Sequence, residues 1–191
     1  MSAGGFHVHG PHDHELEHAA THGGADNFSS KIAVMTAIMA TIGALFGFQG
    51  GDTQNQAAMY KNNAAIKKTE ASNQWNYYQA KSNKQNLSEL AMALPGVDIE
   101  KYRLEVVRYK QEKEGIKKDA EKLEASSLDW DKKSDVAMHE HHRWAVAMTA
   151  EQIAISLAAI TLLTRKKWLQ YGSYAIAAIG LVIGATAYLH L

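Results

Sequence analysis

The sequence predicts an all-α fold: three transmembrane helices and a long antiparallel, coiled-coil-like helical hairpin projecting from the membrane. Three observations predict it. Residues 32–48, 144–164 and 168–188 are almost free of charge. One strong breaker, Pro95-Gly96, stands midway between the first two of these stretches. The residues that follow it keep a seven-residue apolar repeat.

A helix needs roughly 17–25 mostly apolar residues to cross hydrocarbon, and each stretch meets that length. The mean hydropathy of the whole chain, −0.30, conceals them because a long polar middle dilutes the average. The expected organisation starts with a His-rich disordered tail over 1–30 and a first span over 31–49. An extramembrane hairpin over 50–143, turning at 95–97, leads to a second span over 144–164. A basic loop at 165–167 and a third span over 168–191 complete the chain. The polar leader has Lys31 as its only lysine, a poor n-region for a signal peptide, so the first span reads as an uncleaved anchor. Trp144, Trp168, Tyr171 and Tyr188 stand near the ends of the other two, where amphipathic rings prefer the lipid–water boundary.

Cations in short loops favour the cytoplasmic side, so Arg165-Lys166-Lys167 places that loop inside. The N-terminal tail then also lies inside, and residues 52–143 lie outside with the C-terminus. Lys132, Lys133 and Arg143 flank the other face and make the asymmetry modest. The chain has no cysteine, so no disulfide framework exists. Its net charge of zero argues against a nucleic-acid partner.

The two sides of Pro95-Gly96 are nearly equal in length, and each would form a helical arm of about 65–70 Å. Asp98 is placed to cap the second arm. There Tyr102, Tyr109, Ile116, Leu123, Trp130, Ala137 and Trp144 form one heptad row, apolar or aromatic at every step. The companion row of Ile99, Val106, Lys113, Ala120, Ser127, Ser134 and His141 is weaker, so this arm packs on one good face. In the first arm Met59, Ile66, Asn73, Ala80, Leu87 and Leu94 share one heptad position, and Asn55, Asn62, Thr69, Asn76 and Asn83 share another. The amide row is either a solvated face or a set of amides that meet around an oligomer axis.

Six of the ten histidines, His7, His9, His12, His14, His18 and His22, lie in the tail. In a helix His14, His18 and His22 would line one face, able to take Zn, Ni or Cu; the plainer reading is a disordered tail that binds metal adventitiously. His139-Glu140-His141-His142 lacks metalloprotease spacing and reads as packing before the second span. Glu151, with Gln152 beside it, is the one acidic residue inside an apolar stretch. Such residues face a bundle interior or a wet cavity, though a carboxylate at this depth could also reach headgroups. Gly43, Gly47 and Gly51 recur every four residues, as do Gly180 and Gly184, which suits close helix contact within one chain or between chains. No phosphate-binding loop, nucleophile elbow or carboxylate pair is present.

The run Ala71-Ser72-Asn73-Gln74-Trp75-Asn76-Tyr77-Tyr78-Gln79-Ala80-Lys81-Ser82, with 152–155 and 163–168, resembles a bacterial family of uncharacterised membrane proteins. It is numbered four-three-three-seven in the domain-of-unknown-function series. The order of tail, anchor, helical middle and basic-looped hairpin is similar as well. The resemblance implies a bacterial cytoplasmic membrane, makes Trp75, Tyr77, Tyr78, Gln79 and Lys81 a family feature, and implies no activity.

These readings favour a homo-oligomeric structural or scaffolding protein, not an enzyme, whose partners are the bilayer and further copies of the chain. Its contacts would be the Tyr102–Trp130 row, Trp75, Tyr78 and the glycine faces. One alternative is a pore-forming or transport-accessory assembly, its lumen lined by Asn55, Asn62, Asn76, Asn83, Glu151 and Gln152. The other is metal handling by the histidine tail.

Overall fold

A computed structural model describes residues 27–189. These form three helices and, among the described residues, no strand: α1 (Asn27–Ala91), α2 (Ile99–Thr164) and α3 (Lys167–Tyr188). Each contains a segment long and apolar enough to cross a membrane. The described residues fall into two compact units, one taking in the chain up to Phe48 and from Arg143 onward, the other Gln49–His142. The tail histidines and the metal-binding expectation attached to them lie outside the described residues.

In the Gln49–His142 unit, α1 and α2 pack as an antiparallel hairpin. The turn falls where proline and glycine require it: Gly96 adopts φ +81°, a left-handed conformation that suits a residue without Cβ. Asp98 then caps α2, its Oδ1 accepting the Lys101 amide at 3.1 Å.

The register of the arms is fixed by hydrogen bonds that cross between them. The Ser127 hydroxyl donates to the Ala64 carbonyl at 2.8 Å, and the Ser134 hydroxyl to the Ala57 carbonyl at 2.8 Å. His141 Nδ1 donates to the Gly50 carbonyl at 2.8 Å, which sets its tautomer. As α1 advances seven residues α2 retreats seven, and the midpoint of every pair falls between Pro95 and Gly96. Ala71 and Ala120, the next step of this register, are 2% and 0% exposed.

The row of α1 that faces α2 is therefore Gly50, Ala57, Ala64 and Ala71, small residues that let backbones come close enough for a side chain to reach a carbonyl. On α2 the row with Ser127, Ser134 and His141 is as much a part of the contact as Ile116 and Ala137. The sequence weighs that row as the weaker because it counts apolar side chains. The structure gives its polar members backbone carbonyls to bond.

In the other unit, Ile32, Met39, Ala154, Ala158 and Ala177 form the buried cluster. Ser173 of α3 donates to the Ala154 carbonyl at 2.7 Å. A Cβ on Gly184 would overlap the Phe46 ring, and one on Gly47 would lie 3.0 Å from Met148 Sδ. The Phe46 and Trp144 rings meet at 5.6 Å. Between α2 and α3, Arg165 takes a left-handed φ of 51° and its amide bonds the Thr161 carbonyl at 2.8 Å, ending α2.

Ala64→Leu should force the arms apart and cost about 1–3 kcal/mol by overpacking. Ser127→Ala should cost about 1 kcal/mol, the net worth of one hydrogen bond. Thermal unfolding in mild detergent, followed by helical circular dichroism, checks both. Equal melting temperatures for Ala64→Leu and the parent would contradict this seam.

Candidate functional site

Two places gather the residues singled out by the sequence, one in each unit. In the hairpin, the aromatic run of α1 meets charged side chains of α2. Trp75 Nε1 donates to Glu124 Oε1 at 2.9 Å, and the Trp75 and Tyr78 rings meet edge to face at 5.7 Å. Lys113 Nζ stands 5.2 Å over the Tyr78 ring. Lys81 Nζ pairs with Glu112 at 2.6 Å and lies 5.2 Å from the Tyr77 ring and 5.6 Å from that of Tyr109. Such ammonium–ring contacts are attractive, more so where water is partly excluded. The run thus ties the arms together by rings and ion pairs.

A groove of about 800 Å³ lies beside this run, with Lys61, Trp75, Glu124, Leu128 and Asp131 along it. Lys61 pairs with Asp131 at 2.5 Å. The hydrogen bond from Lys81 holds Glu112 below its ordinary carboxyl value, and the bond to Glu112 raises Lys81 above its ordinary ammonium value. Lys61 is raised in the same way by its hydrogen bond to Asp131. The Lys81 and Glu112 side chains stay 15% and 36% exposed, so the pair acts as a tether in contact with solvent.

The remaining predicted residues are distributed as follows. Ile116 is buried; Tyr102, Tyr109, Leu123 and Trp130 are half-buried, Trp130 against Tyr60 at 5.6 Å. Asn55, Asn62, Asn76 and Asn83 are all exposed, as are Met59, Ile66, Asn73, Ala80 and Leu87. Neither row of α1 named by the sequence faces α2. The alanine row that does was passed over, and its signal was a small residue at every seventh position. His139-Glu140-His141-His142 provides no metal site: no group of three His, Cys, Asp or Glu side chains among the described residues could hold an ion.

The second place is Glu151, in the unit of apolar helices. Its side chain is 0% exposed, whereas Gln152 beside it is exposed. It lies between two glycine positions: a Cβ on Gly43 would be 3.5 Å from Glu151 Cβ, and one on Gly180 would be 2.9 Å from its Oε1. A groove of about 580 Å³, lined by Val34, Ile38, Ile42, Ala177 and Leu181, reaches Glu151 and carries Ser30 and Lys31 as well.

The described residues thus define a class by architecture: three helices long and apolar enough to cross a membrane, the first two packed as a hairpin. The chain belongs to the family described as Domain of unknown function (DUF4337), whose model matches residues 28–190. No curated protein and no solved structure matches it.

The Lys81–Glu112 pair gives the hairpin an acid limb. Because Glu112 titrates lower in the folded chain, its contribution is present above the ordinary carboxyl value and is lost as pH falls through the depressed one. Lys81 contributes fully below the ordinary ammonium value and loses its contribution as pH rises through the raised one. Glu112→Gln should flatten the fall of melting temperature on acidification. An unchanged acid limb in that variant would detach the pair from stability.

Proposed function

We propose that the protein is a membrane-anchored structural module that assembles with further copies of itself, and that the outer face of α1 in the hairpin is where copies meet. One observation carries this reading. Asn55, Asn62, Thr69, Asn76 and Asn83 form one row of that face, Met59, Ile66, Asn73, Ala80 and Leu87 the next, and all are exposed and uncharged. The exposed residues of α2 in the same unit include Arg103, Lys110, Glu114, Lys117, Lys118, Asp119, Glu121, Lys122, Asp129, Lys132 and Asp135. A solvated helix face is charged or polar, and that of α2 is mostly charged with Leu104, Val107, Leu128 and Val136 among the charges. A 3–4-spaced stripe of amides and aliphatic side chains supports a coiled-coil seam.

The occupant that fits is another copy of the same stripe. Each amide both donates and accepts, so an Asn row complements itself, while Met59, Ile66 and Leu87 supply apolar contact. The Arg165-Lys166-Lys167 loop supports a cytoplasmic N-terminus with the hairpin on the other side of the membrane; a bacterial cytoplasmic membrane is part of the same proposal. No catalytic step is assigned to the protein. A polar-lumen assembly draws on the same amide row and differs in requiring enough copies to enclose a path and in giving conductance across a bilayer.

Trp130 packs against Tyr60 inside one hairpin, so replacing it would damage the arm before any assembly. Asn62→Lys with Ile66→Lys is the cleaner test, since both positions are exposed. The double variant should keep its helicity and melt as the parent does, yet run as a single chain in native mass spectrometry of the detergent-extracted protein. The same subunit count in parent and variant would remove this face from the interface.

A further inference from the structure

In the unit of apolar helices, hydroxyl side chains are bonded within the protein. Thr36, Thr149 and Thr161 donate to the carbonyl four residues earlier at 2.8, 2.7 and 2.7 Å, and Ser173 bonds across to Ala154 at 2.7 Å. Glu151 is the exception: its side chain is 0% exposed and neither carboxyl oxygen has a hydrogen-bond partner. The space that it fills is kept by Gly180, where a Cβ would lie 2.9 Å from Oε1, while Gly43 faces the Glu151 Cβ at ordinary contact distance.

An ionised carboxylate enclosed without a partner in apolar surroundings is expensive, and the neutral acid avoids that cost. A metal ion is a poor fit, because Glu151 belongs to no group of three His, Cys, Asp or Glu side chains among the described residues. The groove that reaches Glu151 brings two other titratable groups, Lys31 from α1 and Tyr174 from α3; α2 contributes none besides Glu151 itself. The groove is otherwise apolar, with polar Ser30 beside Lys31.

We propose that Glu151 is a proton-binding site of the apolar-helix unit, loaded and unloaded along the groove that carries Ser30, Lys31 and Tyr174. With its proton the side chain is compatible with the glycine enclosure. Without it the enclosure holds a charge that nothing compensates, so release of the proton must draw water along the groove or part Glu151 from Gly180. Proton occupancy is thereby coupled to the packing of α2 against α3. This site stands apart from the assembly face of the hairpin and does not rest on it.

The test uses the full-length protein in phosphatidylcholine vesicles treated with dicyclohexylcarbodiimide, an apolar reagent that adds to protonated carboxyl groups. Peptide mass spectrometry should find the adduct on Glu151, formed about tenfold more slowly for each pH unit above the titration midpoint, as the protonated fraction falls. Infrared difference spectra between acid and alkaline pH should show a protonated carboxyl band that Glu151→Gln removes. That variant should also melt as the parent does, because an amide is neutral and close in shape. A missing carboxyl band, pH-independent labelling, or a Glu151→Gln variant that unfolds would each overturn the proposal; should the reagent fail to reach the site, the band decides.

Discussion

The hairpin depends on how closely two helical backbones can approach. Gly50, Ala57, Ala64 and Ala71 put almost no side chain between α1 and α2 on that row. Only at such separation can the short Ser127 and Ser134 side chains reach the carbonyls of the facing helix. Each carbonyl has a second lone pair, so it accepts a hydroxyl without giving up its own helical bond. Small residues and hydroxyls are thus one device. Enlarging the alanines strands the serines, and removing the serines leaves a shallow apolar contact. Beyond Ala71 the row continues with Tyr78 and Gln85, and the ties change to rings and ion pairs, Lys113 over Tyr78 and Lys81 with Glu112.

The apolar-helix unit obeys a related rule for a different reason. Where helices are apolar on every side, association rests on packing and interhelical hydrogen bonds, so small residues again mark the contacts. Gly47, Gly180 and Gly184 receive Met148, Glu151 and Phe46, and Ser173 reaches a carbonyl as the hairpin serines do. The difference lies in what happens to a polar group with no partner. On the hairpin, Lys81 and Glu112 keep contact with water and act as a tether. The Glu151 side chain has no such recourse, and its chemistry is governed by enclosure.

Much of this architecture was legible in the sequence because it rests on coarse properties. Uncharged length marked the three apolar segments, Pro95-Gly96 placed the turn, and Asp98 marked the start of α2. The turn alone contained the register, since every cross-arm serine or histidine bond is centred on it. What was not legible was which face of α1 turns inward. Counting hydrophobic side chains directs attention to Met59, Ile66 and Leu87, which are exposed, and away from Ala57, Ala64 and Ala71, whose value is their lack of bulk. The same counting discounts Ser127, Ser134 and His141, whose partners are backbone atoms that leave no trace in sequence. Glu151 stood out as an acid in an apolar stretch, but its enclosure depends on Gly180, far from it in the chain.

The inward turn of the alanine row determines what α1 leaves outside. A helix whose small residues face its partner must carry its other residues elsewhere, and α1 segregates them. Lys61, Lys67 and Lys81 pair with Asp131, Glu70 and Glu112, while from Asn55 to Leu87 the side opposite the seam has amides, threonine and aliphatic chains, with Asp52 at its membrane-proximal start. Like charges along one row would disfavour its pairing with a second copy of that row, because a two-fold contact uses the same patch on both copies. A stripe cleared of charge removes that repulsion, and its amides restrict which alignments satisfy every donor and acceptor. The outer surface of α2 differs in mixing charges of both signs with Leu104, Val107, Leu128 and Val136. The proposed contact between copies rests on this contrast between the uncharged outer stripe of α1 and the more charged outer surface of α2.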